Sequence, residues 1–267
     1  MKIAHEAMNA ARPLVDQLTD YDYFLVHLLD ENYEYRARAL QSNRFSILDN
    51  SIFELDEPYD VNKYLPWIKT LEPDIAIVPD ALDSKEETLA NLESFFQELE
   101  SAGLGQLSTR YMGVAQGETE EELLECWEAL QADSRISIVG VSFNSAPFAQ
   151  GYSLDAIVTR WVRGRIRFLD QVTDLGTRKI EKPIHLLGVS LPQELRHYRD
   201  YYNPGLIHSV DTSSPVLHGY HGVRYAETGL GSKISRKMHE LIDKPVDITQ
   251  KFDIAFNVCA FRRFAKK

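Results

Sequence analysis

The chain is poor in cysteine, has no long apolar run, and carries no excess of positive charge. Its two cysteines, Cys126 and Cys259, lie far apart without partners at metal-ligand spacing. That sets aside a structural zinc built from cysteines. Cys126 falls in a helical pattern and Cys259 in the apolar run 254–261, so both read as small buried hydrophobes. The longest apolar runs are strand-sized, which leaves nothing to span a membrane. The opening Met1-Lys2-Ile3-Ala4-His5-Glu6 is polar where a signal peptide needs its apolar region, and the expected location is the cytoplasm. With 29 Lys and Arg against 40 Asp and Glu, the net charge is −11. That argues against a broadly basic nucleic-acid binder, although not against a local basic groove.

What is present is an alternation. Strand-like segments at 23–29, 45–49, 75–80, 111–117, 136–141, 184–189 and 207–211 are separated by amphipathic helical patterns at 61–71, 85–101, after Thr119, at 153–170 and at 192–201. Residues 3–4 and the Ala-rich stretch behind them supply an eighth unit. Continuous apolar strands between amphipathic helices mean a parallel sheet covered by helices. About eight such units in 267 residues predict a single-domain (β/α)8 TIM-like barrel. No Gly-x-Gly-x-x-Gly follows the first strand and no Walker loop is present, so a nucleotide-binding open sheet is the weaker choice. The tail, 229–267, reads as irregular structure and a final helix packed on the barrel.

In a parallel barrel the carboxyl ends of the strands converge on one mouth, where chemistry is done. Those ends carry Asp49-Asn50-Ser51, Asp80, Gln116-Gly117, Gly140, Gly188 and Asp211-Thr212. An isolated aspartate at such a place reads first as a cap or turn residue. Its recurrence at several strand ends changes that reading. Paired carboxylates such as Asp49 and Asp211 can transfer a glycosyl group, one attacking the anomeric carbon while the other protonates the leaving group. Asp80 and Gln116 suit the donor and acceptor edge of a flat heterocycle, and strand-end glycines let a ring lie against the backbone. His27 and His185, inside apolar strands, read as core histidines. From the residues alone the chain is a barrel enzyme acting on a polar ring or sugar.

Taken in order, the same segments resemble those of the tRNA-guanine transglycosylases. Leu48-Asp49-Asn50-Ser51-Ile52-Phe53 is similar to their Asp-Ser-Gly-Gly-aromatic segment, and Val78-Pro79-Asp80 to their base-reading strand. Met112-Gly113-Val114-Ala115-Gln116-Gly117, Val139-Gly140-Val141-Ser142, Leu186-Leu187-Gly188-Val189 and Ser209-Val210-Asp211 follow in matching sequence. The C-terminal zinc subdomain of the tRNA enzymes is missing here. The compact form therefore resembles the DNA 7-deazaguanine transglycosylases of phages and bacterial modification islands (DpdA type).

That resemblance implies Asp211 as the nucleophile toward C1′ and Asp49 as the acid and base for the exchanging bases. It implies Asp80, Asn50, Gln116 and the Gly140-Val141 backbone as readers of the purine-like edge, with Phe53 and Leu187-Gly188 on its two faces. A glutamate of the tRNA enzymes that supports an aminomethyl substituent corresponds to Ser145 here. The expected base is thus preQ0, with its neutral nitrile, rather than preQ1. The implied reaction exchanges guanine in DNA for a 7-deazaguanine without cofactor or metal, in a bacterial host cell if phage-encoded, with accessory proteins or a homodimer as possible company. Arg163, Arg165, Arg167, Arg224 and Lys233 are expected to line a groove for the phosphates. Three alternatives stand beside this: the same exchange on tRNA, a non-catalytic nucleic-acid-binding partner subunit, and an unrelated barrel glycosidase.

Overall fold

The computed structural model describes residues 1–150, 157–173, 180–234 and 236–266. Each strand is followed by helix. β1 (Lys2–His5) leads to α1 (Arg12–Val15), and β2 (Asp22–Leu25) to α2 (Val26–Glu31) and α3 (Tyr33–Gln41). β3 (Ser46–Asp49) precedes α4 (Ile52–Leu55) and α5 (Val61–Leu71), and β4 (Ile75–Ile77) precedes α6 (Lys85–Ser101). β5 (Arg110–Ala115) is followed by α7 (Glu120–Ala132), and β6 (Ile136–Val141) by α8 (Ala146–Ala149) and α9 (Ile157–Thr173). β7 (Ile184–Leu186) leads to α10 (Pro192–Tyr201), and β8 (Ile207–Thr212) to α11 (Ser214–Tyr220) and finally α12 (Ile248–Ala265).

All eight strands are parallel, in the order β1-β8-β7-β6-β5-β4-β3-β2, so the expected barrel is present. The β1–β2 seam is closed by a polar stitch instead of a ladder. Ile3 N–H donates to Asp20 Oδ2 (2.8 Å) and His5 N–H to Thr19 Oγ1 (3.0 Å), while Asp20 N–H returns to Ile3 O (2.9 Å). The exposed ladder edge of β1 is satisfied within the chain, as a buried backbone requires.

Local chemistry sets the helix starts. Ser84 caps α6, and Thr119 with Glu122 forms a capping box on α7, as does Asp247 with Gln250 on α12. The expected strand at 23–29 is overturned in its second half, because Val26–Glu31 is helical. Val26, His27, Leu28 and Leu29 are buried all round, and a short apolar run without periodicity does not distinguish strand from buried helix. The helix expected over 153–170 runs over Ile157–Thr173, and its first expected residues lie outside the described ones.

The C-terminal segment is fastened to the barrel. Gln193 on α10 grips Leu230 by both backbone groups, at 2.7 and 3.1 Å. Asn257 on α12, fully buried, accepts from Tyr225 N–H and donates to Pro215 O and Val223 O. At Gly219 a Cβ would stand 2.4 Å from Ile254 N, so only glycine lets α11 and α12 approach this closely. Cys126 is buried as expected, but Cys259 lies on the exposed face of α12 beside Phe252 and Phe256, a correction its apolar context concealed.

Candidate active site

The carboxyl ends of the strands surround an open cleft. Asp49, Asp80, Gln116 and Asp211 all line it, joined by Asn50, Phe53, Leu187 and Gly188. Barrel closure is what gathers residues so distant in sequence.

One wall rises from β3, β4 and β5. Asp80 stands three residues past the end of β4, and both its oxygens are engaged. Asn50 Nδ2 donates to Oδ1 and Gln116 Nε2 to Oδ2, each at 2.7 Å. Asn50 is itself pinned to Val78 O (3.0 Å) and by Ile52 N–H (3.0 Å). Burial raises the Asp80 carboxyl above its usual range despite those two donors. Asp49 accepts from the Tyr23 hydroxyl and from Ser51 N–H at 2.5 Å. To point that N–H back at its neighbour, Ser51 takes the left-handed conformation (φ 62°), costly for a residue with a side chain. Burial pushes Asp49 up to about 7, against the pull of the Tyr23 and Ser51 hydrogen bonds and with the help of the Asp211 and Asp80 charges.

The opposite wall is β7, β8 and the end of β1. Asp211 receives Gly188 N–H at 3.1 and 3.2 Å on its two oxygens, and its Oδ1 meets His185 Nε2 at 3.1 Å. Gly188 reaches this position with φ +60°, in the turn that ends β7. The His185 ring lies parallel to the Tyr23 ring, with centroids 6.1 Å apart and planes 7° from parallel. Two stacked rings thus hold the two catalytic candidates, Tyr23 gripping Asp49 and His185 gripping Asp211. Glu6, directly after β1, adds a third carboxyl to this floor; burial, Asp211, Glu54 and Asp49 push it well above the usual range. Glu54, on α4, is pushed by burial and Asp49 up to about 8.

The rim combines cations with aromatic rings. Lys233 lies over Phe143 (4.6 Å) and Lys237 over Phe53 (5.4 Å), and the two rings meet edge to face at 5.2 Å. Trp161 continues the row against Phe143 (5.3 Å), and Arg236 also lines the cleft.

Several expected site residues lie elsewhere. Gly140 and Val141 do not line the cleft, since their backbone groups pair along β7 and Val141 O accepts Leu187 N–H (3.0 Å). Ser142 and Phe143, one step onward, occupy that place. Ser145 is buried, donates to Ser142 O (3.3 Å) and is not a lining residue.

Arg165 is corrected outright. It is fully buried, ion-paired with Glu194 at 2.6 Å, and its Nη1 donates to Leu187 O at 2.6 Å. A guanidinium so enclosed braces the Leu187-Gly188 turn and meets no phosphate. Arg167 pairs with Glu120 (2.8 Å) and Arg224 with Asp253 (2.6 Å), neither in the cleft, while Arg163 is exposed on α9. Of the five expected groove residues only Lys233 reaches the cleft, with Arg236 and Lys237 from the same basic run.

His27 is a core histidine, though of a helix, and neither ring nitrogen has a hydrogen-bond partner. His185 had the same sequence signature, an imidazole in an apolar run, and is a site residue. Glu6 follows β1 and was open to the same strand-end argument as Asp49. Among the described residues no three His, Cys, Asp or Glu side chains gather as metal ligands would. No helix among them is long and apolar enough to cross a membrane. No protein-family model matches the chain, and no curated protein matches it.

Proposed function

We propose that the cleft exchanges a purine base on a nucleic acid, replacing guanine by a 7-deazaguanine through a glycosyl-enzyme intermediate. The observation that carries this reading is the pairing of two carboxyls, Asp49 and Asp211, beside a closed Asn50–Asp80–Gln116 cluster in one cleft. A glycosidase needs the first feature alone. The second offers fixed carboxyl and amide groups at the scale of a heterocycle's edge.

In this scheme Asp211 Oδ2, which shares Gly188 N–H with Oδ1, attacks C1′ of a nucleotide turned out of its stack. The C1′–O bond forms as the bond from C1′ to the guanine nitrogen breaks, and that electron pair leaves with the base. Asp49, pushed up to about 7, supplies the proton that makes the departing guanine neutral. The incoming 7-deazaguanine then gives its ring N–H proton back to Asp49. Its nitrogen attacks C1′ and returns the bonding pair to Asp211. Asp49, Asp211 and the two exchanging bases supply every proton and electron pair between them, so the scheme balances without a cofactor.

The rim suits the nucleic acid. Phe53 and Phe143 provide ring faces, and Lys233, Arg236 and Lys237 provide charge for phosphates, the combination that single-stranded or extruded nucleotides require. Glu54, pushed up to about 8 by burial and Asp49, lines the cleft as an O–H donor suited to the nitrile of preQ0. The test is nucleoside mass spectrometry on DNA and on tRNA, each incubated with the protein and preQ0 or preQ1. Deazaguanine deoxynucleoside from preQ0, absent with Asp211→Ala, is the expected result. Product in tRNA alone moves the substrate to RNA, preference for preQ1 removes the nitrile assignment, and no product in either removes the reaction.

A further inference from the structure

Two buried side chains behind Asp211, and a half-buried one beyond them, form a chain that the scheme above leaves unused. His185 and Ser209 are at most 1% exposed. From the cleft inward the contacts are Asp211 Oδ1 to His185 Nε2 at 3.1 Å, His185 Nδ1 to Ser209 Oγ at 2.8 Å, and Ser209 Oγ to His208 Nδ1 at 3.1 Å. A hydroxyl has one proton, so Ser209 can donate to only one of its two imidazoles. The nearby Tyr21 hydroxyl spends its own proton on Val210 O (2.7 Å) and meets Ser209 only as an acceptor, so it competes with the imidazoles for the serine proton.

One ordering of protons gives Asp211 a donor, leaves His185 uncharged and provides a partner at every contact of the chain. His208 Nδ1–H donates to Ser209, Ser209 O–H donates to His185 Nδ1, and His185 Nε2–H donates to Asp211. Reversing the serine forces a proton onto His185 Nδ1, which then makes either a buried imidazolium or a bare Nε2 facing a carboxylate. The second is repulsive, and the first adds a charge in a fully buried place. Burial, with Lys2, His185 and Arg110 nearby, keeps His208 below the usual imidazole range, so it has a single N–H to place.

We infer that His185 is a positioning residue for Asp211, and that Ser209 and His208 fix its tautomer so that Nε2–H always faces the carboxylate. Oδ1 is then occupied by His185, and Oδ2 is left as the attacking atom. The stacked Tyr23 ring holds the imidazole in plane from the other side, so the same ring pair sets the orientation of both carboxyls. This inference rests on the reading of Asp211 as nucleophile. Its test is built to fail separately.

Histidine ring nitrogens of ¹⁵N-labelled protein report tautomer directly and need no substrate. The expected spectrum at neutral pH shows His185 uncharged with its proton on Nε2, assigned by the signal lost in His185→Gln. In Ser209→Ala the His185 Nδ1 resonance moves toward that of an unbonded ring nitrogen. An imidazolium, an Nδ1–H form, or an Nδ1 signal indifferent to Ser209→Ala overturns the inference, whatever the protein's activity. Where base exchange is observed, His185→Gln, which keeps an N–H near Nε2, retains the rate of base release within about tenfold. His185→Phe, which keeps the stack and loses the donor, drops it about 10²-fold. Equal rates for the two variants overturn the inference and leave the proposed reaction standing. A correct tautomer with no exchange on any nucleic acid removes the proposed reaction alone.

Discussion

The two walls of the cleft are built on opposite plans. On the β3–β5 wall the polar groups stand at strand ends, hold one another, and face the ligand directly. Asp80 is saturated by Asn50 and Gln116, and Asp49 by Tyr23 and a strained backbone turn. On the β7–β8 wall the visible carboxylate, Asp211, is supported from inside the barrel by His185 and Ser209, and from behind by Arg165 through the Leu187-Gly188 turn. On the first wall the Asn50–Asp80–Gln116 cluster fits recognition, because groups that fix one another read an edge without moving, and Asp49 beside it is placed to move a proton. The second fits chemistry, because an atom that gains and loses a bond needs support that stays in place. Electrostatic preorganisation places that support before the reaction begins.

Substitutions on each wall should therefore fail differently. The largest effect belongs to Asp211→Ala, which removes the proposed attacking oxygen and should lower exchange by at least about 10³-fold while leaving binding of the free base near wild type. Single-turnover kinetics and base binding by calorimetry check the two halves of that statement. Asp49→Asn should slow base release by about 10²–10⁴-fold. Wild-type release should itself fall as pH rises through about 7, where Asp49 loses its proton, and the variant should lack this limb.

Asp49 also links pH to stability. Its pKa in the fold stands above the ordinary 3.8, so the folded state holds the proton more tightly. That contribution is fully present below about 4 and is lost as pH rises toward 7. Asp49→Asn should accordingly stabilise the protein at pH 8, by about 1–2 kcal/mol, in denaturant titrations.

Arg165→Ala strands Glu194 in the core and should cost about 3–5 kcal/mol of stability. Arg165→Met with Glu194→Leu should recover most of that stability but not the rate, because Leu187 O still loses its donor. The smallest effect is expected from Gln116→Ala, which leaves Asp80 Oδ2 without its donor and should raise KM for the incoming base about tenfold with little change in kcat.

Legibility in the sequence divides along the same line. The barrel was readable because apolar strand runs and amphipathic helices recur, and Pro192–Tyr201 and Lys85–Ser101 fall where their periodicity puts them. The recognition wall was readable because Asp49, Asn50, Asp80 and Gln116 interrupt apolar runs at their ends. His185 and Ser209 were not, since a polar residue inside a strand has the same sequence context whether it pairs in the core or supports a site. Arg165 was misread for a related reason. On α9 it sits among Arg160, Arg163 and Arg167, and no pattern of charge shows that its partner, Glu194, waits 29 residues away inside the fold. Glu6 was legible by the strand-end argument, but the apolar run ahead of it is only Ile3-Ala4, followed by His5, so the strand end did not stand out.

The measurement that bears most directly on this account is intact-protein mass spectrometry after mixing the protein with a guanine-containing DNA strand and no incoming base. The account predicts an adduct of the protein and the depurinated strand, mapped by peptide analysis to Asp211, absent in Asp211→Ala and discharged by adding preQ0. Base exchange proceeding at full rate in Asp211→Ala, or an adduct mapped to another residue, would contradict it.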